Sequence, residues 1–327
     1  MTIRKILSID GGGVKGAYPA AFLASIEQAT GKRVVDHFDL IAGTSTGGII
    51  ALGLGMGLSA AEILAFYRER AADVFGGAQA GFLQGVKRAA QGLVSSKYSP
   101  DGLRGALTDV FGSRRLGESK TRLVIPAFSS RERKVYVFKT AHHPRFEMDL
   151  HRYVVDVALA TAAAPTYFPA HSIKDVATLI DGGVWANNPT GLAAVEAVGV
   201  LKWPGESLRI LSIGCTEPLY TCPDDAGLLG VAASVKDLFM QGQSLGALGT
   251  AKLLCGHSEV SPRLWRYSQE VEASTYTLDG VAAIEALAGA GATVAREALP
   301  TVRAMFLADL VEQFDPYHRL PEVETAV

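Results

Sequence analysis

The stretch Lys5-Ile-Leu-Ser-Ile-Asp-Gly-Gly-Gly-Val-Lys-Gly16 sets the pattern for the whole chain. Residues 5–9 are apolar enough to predict a strand, and residues 17–30 predict a helix that tolerates Pro19 in its first turn. Residues 10–16, called the glycine loop below, connect the two. This loop lacks Cβ atoms at Gly11, Gly12, Gly13 and Gly16.

The glycine loop has the properties of an anion site. Without Cβ atoms, successive backbone N–H groups can converge on one point beside the positive end of a helix. Lys15 adds a positive charge to the loop. The pattern suits a phosphate, a dinucleotide pyrophosphate or the oxyanion of an acyl-transfer intermediate.

A dinucleotide site is one alternative, since Gly11, Gly13 and Gly16 satisfy the pattern GxGxxG. That fingerprint also expects an acidic residue about 20 positions further on, at the carboxyl end of the second strand. Asp36 and Asp39 have this separation, but both precede the apolar residues 40–42 and so fall at the wrong end. A Walker A loop is excluded, because Gly16 is followed by alanine and not by Lys-Ser or Lys-Thr.

A second glycine-flanked motif, Gly43-Thr-Ser-Thr-Gly47, follows an apolar strand and precedes a helix. This is the GxSxG pattern of a nucleophile elbow, a sharp turn that presents the serine at the top of a sheet. Gly43 and Gly47 are small enough to permit the strained backbone, and the helix N-terminus favours negative charge on Ser45. The same pattern at Gly242-Gln-Ser-Leu-Gly246 lies in a helical period, so we interpret Ser244 as a helix residue.

A third motif, Asp181-Gly182-Gly183, ends the strand predicted at residues 178–181. In an open parallel sheet, ligands gather outside the carboxyl ends of the strands. We therefore expect Asp10, Ser45 and Asp181 to meet in one crevice, with Asp181 as the base for Ser45. An aspartate before two glycines is also a common turn former, so this role depends on the other two motifs.

Over roughly the first 200 residues, short apolar runs alternate with helical periods. This alternation predicts the α/β class with a mainly parallel sheet. Residues 1–215 are predicted to form the catalytic domain, and residues 216–327 a mostly helical region packed on it. Pro126 predicts a hairpin at the sheet edge.

Residues 74–96 fit either a lid that meets lipid or an ordinary surface helix with an apolar stripe. Further strands are predicted at residues 38–42, 123–128, 134–138 and 208–213, and further helices from about residue 48 and at residues 60–72, 154–164 and 191–201.

Composition narrows the class of protein. Of the 327 residues, 48% are hydrophobic, which is enough for a large core. A formal net charge of −2 and the lack of a basic patch argue against binding of duplex nucleic acid. The first residues lack the apolar length of a signal peptide, and the three cysteines are too few for a disulfide framework or a zinc site. We therefore expect a cytoplasmic protein.

The three motifs, in this order, resemble those of the patatin-like phospholipases, which run DGGGx[RK]G, GTSTGG and DGG. Ala162-Ala-Ala-Pro-Thr-Tyr-Phe-Pro169 and Asp181-Gly-Gly-Val-Trp-Ala-Asn-Asn-Pro189 are similar to further signatures of that family. The resemblance implies a three-layer α/β/α fold and a Ser–Asp dyad of Ser45 and Asp181, without a metal or an organic cofactor. It implies an oxyanion hole from the N–H groups around Gly12 and Gly13, with Lys15 at the basic position of the loop. The implied substrates are membrane phospholipids.

A narrower resemblance lies in residues 121–128 and 135–144, read with the ending Gly-Val-Trp-Ala-Asn-Asn-Pro189. These stretches resemble one bacterial subgroup of the family, the phospholipase effectors of cyclic-oligonucleotide anti-phage signalling (CBASS). The resemblance implies a cyclic dinucleotide as activator, antiviral defence as the role, and action on the inner face of the membrane. A site between subunits of a homo-oligomer is one place for such an activator.

Three alternatives stay open. The first is an unregulated housekeeping lipase of the same family. The second is an α/β-hydrolase with a Ser…Asp…His triad, because His257 and His318 both follow Asp181. The third is a catalytically silent nucleotide sensor, which would keep the glycine loop without needing both Ser45 and Asp181.

Overall fold

The computed structural model describes residues 2–75, 96–219, 228–272 and 275–321. Within these ranges the strands are β1 (Arg4–Ile9), β2 (Leu40–Gly43), β3 (Arg122–Ser129), β4 (Lys134–Lys139), β5 (His171–Ile173), β6 (Ala177–Asp181), β7 (Leu208–Leu219) and β8 (Leu264–Glu272). The helices are α1 (Ala17–Thr30), α2 (Thr46–Gly55), α3 (Ala60–Phe75), α4 (Pro100–Phe111), α5 (Val154–Thr161), α6 (Gly183–Ala186), α7 (Thr190–Val195), α8 (Leu228–Cys255) and α9 (Ile284–Met305).

One mixed sheet joins all of these strands in the order β5-β6-β3-β2-β1-β7-β8, with β4 also paired to β3. The five strands from β3 to β8 in that order are parallel to one another. β4 and β6 are antiparallel to β3, and β5 is antiparallel to β6. The predicted α/β class with a mainly parallel sheet is therefore confirmed.

Successive side chains along each strand point to opposite faces of the sheet. Apolar residues therefore lie on both faces, and helices cover both. On β1, Leu7 and Ile9 pack into a large cluster with residues of α1 to α5 and α9. Ile6, which precedes Leu7 and faces the other side of the sheet, belongs to a second cluster with Ala193 of α7 and Ala251 of α8. The result is the three-layer α/β/α arrangement that the sequence resemblance implies.

The C-terminal part of the chain contributes to the sheet as well as to the helical layers. Helices α8 and α9 agree with the helical pattern of the sequence. β8, however, was not predicted, and it pairs in parallel with β7. Its residues include Arg266, Gln269 and Glu270, so it lacks the apolar run typical of a buried parallel strand. The boundary between residues 215 and 216 stays a prediction.

The predicted lid lies mostly outside the described residues. Helix α3 ends at Phe75, and description resumes at residue 96. The choice between a lid and a surface helix therefore stays open. No helix within the described ranges is both long and apolar enough to cross a membrane.

Strand β3 changes its neighbour halfway along its length. It forms the predicted hairpin with β4 over residues 124–129. On the other side, β2 pairs with it as far as Val124, and β6 pairs with it from Ala127 onward. Since β2 is parallel and β6 antiparallel to β3, the ends of β2 and β6 face each other at Pro126. Proline has no N–H to donate, so it suits a position where ladder pairing is interrupted.

A close contact between α1 and α9 depends on Gly291. A Cβ atom there would lie 2.2 Å from the carbonyl oxygen of Tyr18, whereas a Cβ atom at the exposed Gly289 would meet nothing within 4 Å. The two glycines lie on the same helix and differ in what surrounds them.

We predict that Gly291→Ala destabilises the protein by about 1–3 kcal/mol, because a backbone carbonyl cannot rotate away from the new methyl group. Gly289→Ala, the matched control, should stabilise it by about 0.5–1 kcal/mol through helix propensity alone. Thermal and denaturant unfolding of both variants would test this. Equal stabilisation by both substitutions would contradict the close helix contact.

Candidate active site

Ser45 lies at the turn between β2 and α2 in a strained conformation. Its φ of 55° and ψ of −120° belong to a region that non-glycine residues rarely adopt. The turn closes tightly: a Cβ atom at Gly43 would lie 2.1 Å from the Gly47 carbonyl oxygen, and one at Gly47 would lie 2.3 Å from that of Ile9. The strand-turn-helix context predicted for the GxSxG motif is therefore present.

Two side chains hold the backbone of this elbow. The Ser45 N–H donates to Thr161 Oγ1 at 3.0 Å. The buried Tyr67 hydroxyl donates to the Thr46 carbonyl at 3.0 Å and also hydrogen-bonds with the Thr46 hydroxyl. Ser45 itself is partly exposed at the positive end of α2, which favours negative charge on its oxygen.

Asp181 lies at the end of β6, is 5% exposed, and is near enough to the Ser45 hydroxyl for that group to lower its pKa. The Gly183 N–H donates to its Oδ1 at 2.6 Å. Burial raises the pKa of Asp181 to about 6, and the Ser45 hydroxyl and the Gly183 N–H offset part of that rise. This carboxylate is thus a stronger base than an exposed aspartate.

The route by which Asp181 reaches Ser45 differs from the one predicted. The sequence analysis placed both residues at the carboxyl ends of parallel strands, but β6 runs antiparallel to β3. Asp181 pairs with Ala127 and Ala42 pairs with Val124, so β6 approaches the end of β2 from the opposite direction. The predicted meeting of the motifs is correct, and the predicted strand direction was wrong.

The glycine loop lies against the same crevice. The Gly11 N–H donates to the Asn187 carbonyl at 3.0 Å, and a Cβ atom at Gly11 would lie 3.2 Å from Ser45 Cβ. The Val14 N–H donates to the Leu278 carbonyl at 2.8 Å. None of the described residues accepts a hydrogen bond from the N–H of Gly12 or Gly13. These two donors are therefore available to an anion.

Side chains are excluded on both sides of this loop. Gly13 has φ +60°, and a Cβ atom there would lie 2.1 Å from the Leu278 carbonyl oxygen. A Cβ atom at Gly12 would lie 2.6 Å from Cys215 Sγ. Conformation and space together exclude a side chain at Gly13, and space excludes one at Gly12.

The other residues predicted for the site make close contacts with the three motifs or with strand β3. The Lys15 N–H donates to the Gly12 carbonyl at 3.2 Å. A Cβ atom at Gly16 would lie 2.1 Å from Thr46 Oγ1, and one at Gly182 would lie 2.3 Å from the Pro126 carbonyl oxygen. A Cβ atom at Gly183 would lie 3.0 Å from Asp181 Oδ1. All three motifs therefore pack against one another.

Arg266 of β8 anchors the glycine loop and was missed by the sequence analysis. Its guanidinium forms a two-pronged ion pair with Asp10, at 2.9 Å and 2.6 Å, and donates to Ser212 Oγ at 2.9 Å. It also pairs with Glu217. Burial raises the pKa of Asp10, and Arg266 offsets part of that rise. No sequence motif marks Arg266, and the mixed composition of β8 did not predict a strand there.

The positions of the alternative groups weigh against a triad. His257 Nδ1 accepts from the N–H groups of Arg263 and Leu264, and His318 Nε2 bonds to the Pro144 carbonyl. Among the described contacts, none joins a histidine to Asp181 or Ser45. Ser244 lies within α8, as predicted, and its hydroxyl accepts from Asn188 at 3.0 Å.

The position of Asp39 argues against a dinucleotide site. Asp39 lies before β2, at the end of the sheet opposite the glycine loop, and accepts from the Lys5 N–H at 2.8 Å. It also pairs with Arg4 at 2.9 Å. A ribose bound at the glycine loop would therefore find no carboxylate from this residue.

Comparison with known proteins places these features in a family. The model of the patatin-like phospholipase family matches residues 7–194, which include Ser45 and Asp181. The chain is 39% identical over 212 residues to a cGAMP-activated phospholipase of Pseudomonas aeruginosa, an alignment that covers 64% of this chain and 61% of that protein. A protein of the same name from Escherichia coli is 36% identical over 207 residues, or 61% of this chain and 57% of the relative.

A plant protein is also similar to this chain. Patatin-like protein 2 of Arabidopsis thaliana is 37% identical over 221 residues, which are 60% of this chain and 53% of the plant protein. The chain thus spans between 53% and 61% of the length of these three relatives.

Proposed function

This chain belongs to the patatin-like phospholipase family, and from that premise we propose that it cleaves fatty acyl esters of membrane phospholipids. Ser45 is the nucleophile and Asp181 the base. The observation that carries the proposal is a buried carboxylate, with its pKa raised to about 6, placed near enough to the Ser45 hydroxyl for that group to affect its ionisation. A nucleophile within reach of a base of raised pKa is the arrangement that acyl transfer needs.

Attack begins when Ser45 Oγ adds to the ester carbonyl carbon and its proton passes to Asp181. The carbonyl oxygen becomes an oxyanion, which accepts hydrogen bonds from the N–H groups of Gly12 and Gly13. These donors are held in place before substrate arrives, so they stabilise the developing charge without reorganising. The Asp10–Arg266 ion pair fixes the first residue of the loop that carries them.

Collapse of the intermediate breaks the ester C–O bond. The departing lysophospholipid oxygen takes the proton from Asp181, and the acyl group stays on Ser45. Water then attacks the acyl-enzyme as Asp181 accepts its proton. The fatty acid leaves, and the proton returns to Ser45 Oγ.

We extend the proposal to regulation. The P. aeruginosa and E. coli relatives are named cGAMP-activated phospholipases, and the resemblance at residues 121–128 and 135–144 points to the same subgroup. We infer that a cyclic dinucleotide switches this enzyme on, that it then attacks the inner face of the membrane, and that its role is anti-phage defence. To move a resting equilibrium from 1:99 to 99:1, the ligand must prefer the active state by about 10⁴-fold, or roughly 5.5 kcal/mol.

We predict that, in the presence of the activating cyclic dinucleotide, Ser45→Ala abolishes release of fatty acid from phospholipid vesicles, with a loss of at least ~10⁴-fold, because no nucleophile remains. Ser244→Ala is the matched control, since it removes the serine of the second GxSxG pattern from helix α8, and it should keep most of the activity. Loss of activity in Ser244→Ala with retention in Ser45→Ala would refute the assignment.

The pH dependence follows from the ionisation of Asp181. Only the carboxylate can take the proton of Ser45, and burial raises the pKa of Asp181 to about 6. We therefore expect kcat/KM to be level above that pH and to fall about tenfold per pH unit below it. Melting curves at each pH would confirm that the protein stays folded. A rate that is constant through this range would show that Asp181 is not the base.

Activation can be tested with purified protein, phospholipid vesicles and a panel of cyclic dinucleotides that includes cGAMP. We expect little hydrolysis without ligand and a large increase with one member of the panel. Calorimetry with Ser45→Ala protein would measure binding separately from turnover. Full activity without ligand, together with no measurable binding, would indicate an unregulated lipase.

A further inference from the structure

Thr161 occupies the junction where the two halves of the proposed dyad meet. It is the last residue of α5 and is fully buried. Its hydroxyl accepts from the Ser45 N–H at 3.0 Å and donates to the Pro126 carbonyl at 2.6 Å. One oxygen atom thus joins the nucleophile elbow to β3, the strand with which β6 pairs.

The Pro126 carbonyl is where this link reaches Asp181. Pro126 lies between Val124, the last partner of β2, and Ala127, the partner of Asp181. A Cβ atom at Gly182 would lie 2.3 Å from the Pro126 carbonyl oxygen, so this carbonyl lies directly against Gly182. Two residues beyond Thr161, the Ala163 carbonyl accepts from the Asp181 N–H at 3.0 Å. The end of α5 therefore contacts both Ser45 and Asp181.

The elbow needs such a restraint because Ser45 is held at a φ of 55°. Strained backbone persists only where its surroundings over-determine it. The Thr161 hydroxyl is directional at both ends, since it donates to one backbone group and accepts from another. Its methyl carbon packs where α2 begins: a Cβ atom at Gly48 would lie 2.8 Å from Thr161 Cγ2.

We propose that Thr161 is a positioning residue, whose hydroxyl sets the distance and orientation of Ser45 relative to Asp181 by tying the Ser45 N–H to the Pro126 carbonyl. The inference rests on the proposed esterase function of that pair. Thr161 acts through the backbone and does not touch the substrate.

The test compares Thr161→Val, which keeps the shape and removes the hydroxyl, with Thr161→Ser, which keeps the hydroxyl. Thr121→Val is the control, since Thr121 is also buried and donates to a backbone carbonyl, that of Phe38 at 3.0 Å, at the start of β3. A soluble ester substrate gives kcat and KM, and a fluorophosphonate that labels the reactive serine gives the number of active sites.

Thr161→Val should lower kcat per active site roughly 10–100-fold with little change in KM, because a small misplacement of reacting groups is costly. Thr161→Ser should keep most of kcat. Thr121→Val should lower the melting temperature without lowering kcat. The Ser45 hydroxyl lowers the pKa of Asp181, so displacing Ser45 in Thr161→Val should move the inflection of the pH–rate profile upward.

The outcomes separate the two proposals. All of these assays are run with and without each cyclic dinucleotide of the panel. If wild-type protein under every one of these conditions neither hydrolyses the ester nor is labelled at Ser45, the proposed function fails. If wild-type is active and Thr161→Val matches it in kcat per site and in pH profile, the positioning role fails. Should Thr161→Val not fold, Thr161→Ala and Thr161→Ser give the same comparison, and wild-type kcat in the alanine variant would overturn the inference.

Discussion

The end-to-end meeting of β2 and β6 along β3 is the constraint on which the site depends. β3 is longer than the run that β2 pairs with, so its far half is free to pair with an antiparallel strand. That strand delivers a carboxylate to the point where β2 turns into its helix. A wholly parallel sheet would place the two groups on adjacent strands, side by side at one edge, whereas here they face each other across the gap at Pro126.

Two buried carboxylates lie in this region, and their surroundings give them different tasks. Asp10 faces the guanidinium of Arg266 in a two-pronged pair, so its charge is neutralised and its position fixed. Against Asp181, the described contacts supply the Ser45 hydroxyl and the Gly183 N–H, and no cation. A carboxylate that is buried without a cation gains most by accepting a proton, which is the property a general base requires.

Local sequence was sufficient where the chemistry is local. The observed bounds of α1, Ala17–Thr30, coincide with those predicted, and the strand and helix on either side of Ser45 follow from an apolar run and two glycines. Helix α5 ends at Thr161 and not at the predicted residue 164. Pro165 disfavours helical geometry in the residue before it, so the helix cannot readily extend to residue 164.

Partners that are distant in sequence were the ones that could not be predicted. The direction of β6 depends on which half of β3 is free, and that is a property of the assembled sheet. Arg266 meets Asp10 across 256 positions of sequence, from a strand whose mixed composition hides it. Thr161 reads as an ordinary helical threonine, and its two backbone partners appear only when α5 packs against the elbow.

Close backbone approach at Gly47 and Gly182 limits how this protein can evolve. A methyl group at either position would lie 2.3 Å from a carbonyl oxygen, of Ile9 or of Pro126 respectively. Those oxygens belong to strands β1 and β3, so no rotamer change could make room, and a larger residue would have to displace a strand. A change in what the crevice accepts must therefore come from the residues around it, because the turns that hold Ser45 and Asp181 leave no room for a larger side chain at Gly47 or Gly182.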